Sequence, residues 1–138
     1  MSITKAQNLN DAIYTAINNS IGSNNPSGQL LEIYELQGPD NATLPNCTYQ
    51  IITDVVSPGL SKSVYEDVDI QVNFYGYKKY GSKALRTISD ELFSELDRAV
   101  LQVGDIGATV QGKIQNVTTV EDDGKIINIR QEYHVLIV

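Results

Sequence analysis

The sequence has few of the residues that carry enzyme and metal chemistry. Its 138 residues include one cysteine, one histidine, one methionine and no tryptophan. A single cysteine excludes an intrachain disulfide. Transition-metal sites need clusters of His, Cys or carboxylate ligands, and this chain offers one His and one Cys for such a cluster. We therefore expect no metal and no cofactor, and the chain is predicted not to be an enzyme.

Basic residues and long apolar runs are also scarce. Ten Lys and Arg residues stand against 17 Asp and Glu residues, which gives a net charge of −7. Nucleic-acid affinity comes mostly from Lys and Arg that displace counterions, so specific nucleic-acid binding is disfavoured. No apolar run reaches the ~18 residues of a membrane span, and the polar start lacks the apolar core of a secretion signal. We expect synthesis in a reducing cytoplasm and no membrane partner.

The residues best suited to chemistry stand alone in the sequence. His134 has no nearby partner in the chain for acid–base work or metal binding, so we interpret it as a structural or merely exposed histidine. Cys47 belongs to no CxxC pair, and a buried or unreactive thiol is expected. Asp67 and Asp69 lie on one face of a predicted strand and could bind a hard cation. The preferred interpretation is that they form the solvated face of that strand.

Two helices are predicted from apolar residues spaced three and four apart. The first covers residues 5–19, with Ser2 or Thr4 as its N-cap. The second begins at Ser82 and runs to about residue 100. Its apolar stripe comprises Leu85, Ile88, Leu92, Leu96 and Val100.

Strands are predicted at residues 30–36, 49–56, 66–75, 108–121 and 125–138. The strand at 66–75 alternates strictly, with one buried face made by Val68, Ile70, Val72 and Phe74. Asp123-Gly124 favours a two-residue type I′ turn between the last two strands. The predicted fold class is α+β, with a mainly antiparallel sheet flanked by two helices and a long C-terminal β-hairpin. We expect one domain over residues 1–138.

The last strand is apolar on both faces from Tyr133 to Val138. Chain ends usually fray unless they are docked. Burial on two sides, by the core and by a helix or a second subunit, accounts for this pattern. A central strand inside one domain accounts for it equally well.

One segment resembles a known family. It begins with the strand from Asp67 to Gly76 (DVDIQVNFYG), continues with Tyr80 to Leu85 (YGSKAL) and the amphipathic helix, and closes with the long hairpin. The N-terminal helix and the strand after Leu44-Pro45 fit as well. In the order of its elements and in their residue patterns, about two-thirds of the chain resembles the tail terminators of long-tailed bacteriophages. These are also called tail completion or tail-to-head joining proteins.

This resemblance implies a structural virion protein that assembles as a ring, usually a homohexamer, on the completed tail tube. Such a ring ends tube polymerisation and presents the surface that joins the head or neck. The implied partners are other copies of the chain, the tail tube protein and a neck or head-completion protein, with DNA passing through the ring. The alternatives are another neck or head–tail adaptor component, and a small-molecule-binding α+β regulatory domain.

Exposed strand edges and the tip of the last hairpin are the expected contact elements, since both are ready pairing surfaces. The candidate interface at the tip comprises Glu121, Asp122, Asp123, Gly124 and Lys125.

Overall fold

A computed structural model describes residues 2–21, 32–36, 45–58, 64–80, 83–103, 106–121 and 124–137. The helices are α1 (Ser2–Ile21) and α2 (Lys83–Leu96), and the strands are β1 (Glu32–Glu35), β2 (Asn46–Pro58), β3 (Val64–Tyr77), β4 (Val100–Val103), β5 (Ile106–Glu121) and β6 (Ile126–Ile137). A 3₁₀ turn at Lys78–Tyr80 follows β3. No helix in the described ranges is long and apolar enough to cross a membrane.

The described strands form one sheet in the order β1-β2-β3-β6-β5-β4. Only the β1–β2 pair is parallel; the other neighbours are antiparallel. β5 and β6 form the long C-terminal hairpin. The predicted α+β class is confirmed.

Both helices pack on the same face of the sheet and share one core with it. α1 contacts β4, α2 and β1, while α2 also contacts β3, β5 and β6. The helices contribute Leu9, Ile13, Ile17, Leu85, Ile88, Leu92 and Leu96, and the alternating face of β3 contributes Val68, Ile70, Val72 and Phe74. The predicted apolar face of β3 is therefore confirmed. Each such side chain contributes about 1.5–3 kcal/mol when fully buried.

The first helix is longer than predicted. It runs from Ser2 to Ile21, so Thr4 lies inside the helix and is not its N-cap, whereas Ser2 is the first residue of the helix. The Asn-Asn-Ser stretch at 18–20 is also helical, although these residues are weak helix formers. Packing of an amphipathic face contributes more to helix stability in a protein than intrinsic propensity does, and Ile17 is buried one residue earlier.

The second helix is shorter than predicted. It ends at Leu96, and Arg98 has φ +60°, which interrupts the helical backbone. The N–H of Asp97 donates to the Phe93 carbonyl at 2.8 Å, and the N–H of Ala99 donates to the Leu96 carbonyl at 3.0 Å. Val100 was predicted on the helical stripe, but it begins β4 and is 66% exposed. The position of Val100 fits both the apolar stripe of a helix and a strand, and pairing with β5 favours the strand.

The terminal hairpin has a longer connection than predicted. Its last paired positions are Glu121 and Ile126, so four residues separate them and the two-residue turn is wrong. Gly124 has φ +81°, a conformation that favours glycine. Asp122 and Asp123 lie outside the described residues, as does Ser82, the predicted start of the second helix.

β6 is a central strand of the sheet, between β3 and β5. Val135 and Ile137 are fully buried in the core, and Leu136 is half-buried on the opposite face. The apolar end of the chain is therefore explained by a central strand, one of the two predicted alternatives. Val138 lies outside the described residues.

Candidate functional site

The face of the sheet opposite the helices, here called the open face, is lined by polar side chains along its central strands. β3 contributes Asp67, Asp69, Gln71 and Asn73, and β6 contributes Asn128, Arg130, Glu132 and His134. These residues alternate with the core residues of the same strands, so the pleat places them on the side away from α1 and α2.

Amide side chains cross the open face from β2 to β6. Gln50 Nε2 donates to Gln71 Oε1 at 3.0 Å, and Asn73 Nδ2 donates to the same oxygen at 3.0 Å. Asn128 Nδ2 then donates to Asn73 Oδ1 at 3.2 Å and to the Phe74 carbonyl at 3.4 Å. Asn73 and Asn128 are buried, so these bonds satisfy groups that are costly to leave unpaired.

His134 lies between two carboxylates on the same face. Its Nδ1 is 2.9 Å from Asp69 Oδ1, and its Nε2 is 3.0 Å from Asp67 Oδ1. Asp69 is the direct cross-strand partner of His134, and Asp67 is the diagonal one, opposite Leu136. Directly opposite and diagonal positions are the two within reach of a side chain on an antiparallel pair.

His134 is therefore a structural histidine, one of the two alternatives that the sequence interpretation gave. Its partners lie 65 and 67 residues earlier in the chain, and only the pairing of β3 with β6 brings them to it. The two alternating patterns were visible in the sequence, but alternation does not specify which strands are neighbours. Asp67 and Asp69 lie on the face of β3 away from the core, as the preferred interpretation predicts, and both are half-buried against the imidazole.

The carboxylates favour the charged form of the ring. The hydrogen bond to Asp69 raises the pKa of His134 above its ordinary value, and Asp67 adds to this against the opposing effect of burial. A protonated imidazole donates from both nitrogens and has no lone pair left to accept a proton. The arrangement therefore suits a cross-strand ion pair better than a general base.

The three side chains do not converge on one point, because each ring nitrogen faces a different carboxylate. Across the described parts of the chain, no group of three or more His, Cys, Asp or Glu side chains is arranged to hold a metal ion.

Cys47 lies in the core, so the expectation of a buried thiol is confirmed. Its side chain is fully buried on β2, with Sγ 3.8 Å from the Thr48 carbonyl. Burial raises the pKa of the thiol far above its ordinary value. Since the thiolate is the nucleophilic form, this cysteine is unreactive in the folded protein.

The tip of the last hairpin is joined to the 3₁₀ turn after β3. The N–H of Lys78 donates to the Lys125 carbonyl at 2.8 Å, and Lys79 Nζ lies 5.5 Å from the centre of the Tyr77 ring. An open cavity of about 500 Å³ is lined by Tyr77, Lys78, Lys79, Gly124 and Lys125.

Two of the five predicted interface residues, Gly124 and Lys125, are therefore exposed beside further lysines. Glu121 is the last residue of β5, and Asp122 and Asp123 lie outside the described residues. The cationic neighbour could not be recognised in the sequence, because Lys78 and Lys79 precede the first residue of the tip, Glu121, by more than 40 residues.

Both lateral edges of the sheet are only partly covered. β1 pairs with positions 46–49 of the 13-residue β2, and β4 pairs with positions 106–109 of the 16-residue β5. One further backbone bond extends each contact, from Leu36 to Tyr49 and from Val110 to Ala99. Within the described ranges, no strand pairs with the outer side of residues 50–58, the β2 open edge, or of residues 111–121, the β5 open edge.

The sequence matches no known family profile and no curated protein. Solved structures with a similar fold do exist. A chain from the virion of a native gene transfer agent particle has 9% identity and a TM-score of 0.59, with 76% of this chain and 77% of that chain covered. A second solved structure, which carries only a sequence identifier for a name, has 15% identity and a TM-score of 0.59 over 91% of this chain and 94% of its own. At these identities the likeness shows a shared fold, and one of the proteins that shares it is a component of a virion.

Proposed function

We propose that this chain is a structural virion protein that caps the tail tube as a homohexameric ring, ends tube polymerisation and forms the interface to the head or neck. The observation that carries the proposal is the fold shared with a chain of a gene transfer agent virion over three quarters of both chains. The resemblance of the β3–α2–hairpin segment to tail terminators supports the more specific role.

The side chains described above suit assembly better than turnover. In its protonated form His134 is held by Asp67 and Asp69 through both ring nitrogens, and the thiol of Cys47 is buried. Within the described ranges, the two open edges and the hairpin tip are elements of the kind that pairs with partners.

The charge of the chain agrees with a ring through which DNA passes. A net charge of −7 per copy makes each subunit repel a polyanion. Such repulsion acts over about a Debye length, ~8 Å at physiological ionic strength, which is short enough to prevent adhesion without blocking a wide channel.

The test is electron microscopy of particles from a strain that lacks this protein, with and without the complementing gene. We expect heads that fill with DNA, together with tails of uncontrolled length or tails that fail to join the heads. Normal-length tails joined to full heads in its absence would contradict the proposal. The position of the protein in complemented particles separates a ring on the tube end from an adaptor at the head.

The non-enzymatic part has its own test in the same strain. Complementation with a His134→Ala, Cys47→Ser variant should restore assembly, because neither residue is assigned a chemical role. The control is the thermal unfolding of the purified variant. A folded variant that fails to restore assembly would contradict this part of the proposal.

A further inference from the structure

Each lateral edge of the sheet has a short edge strand and an open edge, and the short strand on one side lies level with the open edge on the other. We propose that copies of this chain join edge to edge, with β1 of one copy on the β5 open edge of the next. In the same contact, β4 of that next copy lies on the β2 open edge of the first. This inference rests on the proposed ring for its biological role, but its geometry follows from the sheet alone.

The first step concerns the level of β1 along the sheet. β1 pairs with positions 46–49 of β2, which lie opposite 72–75 of β3. Those positions lie opposite 128–131 of β6, which in turn lie opposite 116–119 of β5. β1 therefore lies on one side of the sheet at a level where, on the other side, none of the described strands pairs with the outer edge of β5.

The second step concerns β4, which pairs with 106–109 of β5. Positions 108 and 109 lie opposite 137 and 136 of β6, and these lie opposite 66 and 67 of β3. Positions 66 and 67 lie opposite 56 and 55 of β2, inside the β2 open edge. Each short edge strand thus lies level with the open edge on the opposite side of the sheet. β1 of one copy and β4 of the next copy therefore fit end to end, in one row between β2 of the first copy and β5 of the next.

Strand direction agrees with this fit when neighbouring copies keep the same orientation. β5 runs antiparallel to β2, because three antiparallel pairings separate them. β1 runs parallel to β2, so an incoming β1 is antiparallel to β5. β4 also runs antiparallel to β5, so it lies parallel to the β2 of the neighbour, as β1 does within one copy. The main new ladder is thus of the antiparallel kind, the more frequent one.

The β5 open edge is regular where β1 would pair. Its two register shifts fall between 110 and 112 and between 113 and 115, and pairing with β6 is unbroken from 115 to 121. Residues 116–120 are Asn-Val-Thr-Thr-Val, with no charge and no proline. Protected edge strands usually carry charge, proline or a bulge. This stretch lacks the first two, and its bulges lie outside the level of β1.

Exposed apolar side chains mark the same edges. Among the described residues, six large hydrophobic side chains are exposed, and four of them lie in or beside these edges. Val120 is on the β5 open edge, Ile52 on the β2 open edge, Val100 in β4 and Leu36 directly after β1. An edge-to-edge contact places these side chains beside the strands of the next copy, and the apolar area that it covers contributes favourably.

The contact joins two different surfaces, so it repeats from copy to copy. A heterologous contact of this kind closes into a ring when the rotation between copies divides a full turn, and it makes a filament otherwise. The right-handed twist between strands supplies a rotation at each added copy.

Cysteine pairs at the predicted cross-copy positions test the contact. Glu32 is level with Thr119, and Val100 is level with Val55. Directly opposite strand residues have Cβ atoms about 4.5–5.5 Å apart, within reach of a disulfide after slight adjustment. Glu32→Cys protein mixed with Thr119→Cys protein should give an oxidised heterodimer, and so should Val100→Cys mixed with Val55→Cys. Glu95→Cys on the exposed side of α2, mixed with Thr119→Cys, is the matched control and should not cross-link.

A second pair of variants does not depend on disulfide geometry. Thr118→Lys with Val120→Lys adds charge to the β5 open edge, where both side chains are exposed. These substitutions should reduce the native mass from ring to monomer while the melting temperature of the monomer stays the same. Arg86→Lys with Thr87→Lys on the exposed side of α2 should leave the ring intact.

The outcomes separate this inference from the proposed function. Wild-type rings without cross-linking at either pair, or rings that survive the two edge lysines, overturn the edge contact and leave the tail role standing. Wild-type protein that stays monomeric at every concentration overturns the edge contact as well. Efficient cross-linking together with normal tails in the deletion strain supports the edge contact and overturns the tail role.

Discussion

At the residue scale, the Asp67–His134–Asp69 cluster joins the two central strands of the sheet. Exposed ion pairs contribute about 1 kcal/mol or less, and this cluster is only half-buried. The buried apolar face of β3 and β6 specifies their register, and the cluster adds cross-strand contacts in that same register on the open face. A one-residue slip would move the imidazole to the other face of the sheet.

His134 is the only histidine, so its titration can be followed from a single imidazole signal by NMR. We expect a pKa above the ordinary ~6.5, because the two carboxylates favour the charged ring. Asp69→Asn should lower this pKa more than Asp67→Asn does, since the hydrogen bond to Asp69 is the largest cause of the shift. A pKa at or below 6.5 in the wild type, or one that neither substitution changes, would contradict the cluster.

The same titration has a consequence for stability. A raised pKa in the folded state means that the contribution of His134 is fully present below the pKa of the unfolded chain, and that it is lost as pH rises through the folded pKa. Urea unfolding should therefore show a stability that declines above about pH 6.5. His134→Gln should remove that decline, and equal declines in both proteins would count against the ion pair.

Gln131 is a polar residue in the core that the sequence did not single out. It is fully buried, its Nε2 donates to the Ser89 carbonyl at 3.2 Å, and its Oε1 accepts from the Tyr133 hydroxyl at 2.5 Å. These bonds connect β6 to α2 and satisfy a group that is costly to bury unpaired.

Tyr133→Phe should therefore destabilise the protein by about 1–3 kcal/mol, because it leaves the Gln131 oxygen without its donor. In a Gln131→Met background, which has no such oxygen, the same substitution should cost less. Denaturant unfolding of the wild type, the two single variants and the double variant gives the coupling free energy between the two residues. Equal costs in the two backgrounds would show that the hydroxyl bond does not matter.

At the element scale, β6 connects the two halves of the sheet, with β3 on one side and β5 on the other. The last residues of β6 pair with β3 and β5, and among them Val135 and Ile137 are buried. The strand is therefore a structural requirement rather than a tail.

Deleting residues 135–138 should unfold the domain or dissolve its oligomer. The deletion removes two fully buried side chains, each worth about 1.5–3 kcal/mol, in addition to the strand pairing. Total stabilities are ~5–15 kcal/mol, so such a loss is large. Deletion of Val138 alone is the control. The measurements are melting temperature and native mass, and a truncated protein that keeps both would contradict the prediction.

The elements that the sequence predicted well are those with long, regular patterns. Val68, Ile70, Val72 and Phe74 alternate without exception, and all four are buried. Short or ambiguous patterns did less well. Val100 fits a helical stripe and a strand equally, and only the partner strand decides between them.

The contacts of the candidate site depended on information that the sequence does not carry. His134 meets Asp67 and Asp69 because β6 inserts between β3 and β5, a choice that requires the topology of the sheet. The same is true of the lysines beside the hairpin tip, which the backbone bond from Lys78 to Lys125 brings together. Local patterns predict the faces of an element, whereas they do not predict its neighbours.

At the scale of the whole molecule, the helices cover one face of the sheet, and the surfaces left for partners are the open face, the lateral edges and the hairpin tip. The edges are assigned above to other copies of the chain. Of the two remaining surfaces, the open face and the hairpin tip, we expect the tip to meet a different partner, because loop tips are ready pairing surfaces and its lysines are exposed. The organisation of the chain as one domain stays a prediction.

The hairpin tip combines an acidic pair in the sequence, Asp122-Asp123, with the exposed Lys78, Lys79 and Lys125 beside it. A partner that docks here meets charges of both signs, which set orientation and association rate more than affinity. Reversing the acidic pair leaves Glu121 as the one acidic residue among the five candidate interface residues. The tip then becomes predominantly positive, so it should repel a partner that recognises the original pattern.

Asp122→Lys with Asp123→Lys should therefore weaken docking more than folding. The acidic pair lies in the connection between the last paired positions of the hairpin, Glu121 and Ile126, so the melting temperature should stay close to that of the wild type. Asp90→Lys with Glu95→Lys on the exposed side of α2 changes the net charge by the same amount and is the matched control. Complementation of the deletion strain, scored as joined particles by electron microscopy, should fail for the tip variant and succeed for the helix variant. Equal complementation by the two folded variants would rule out the hairpin tip as the docking surface, since net charge alone is identical in both.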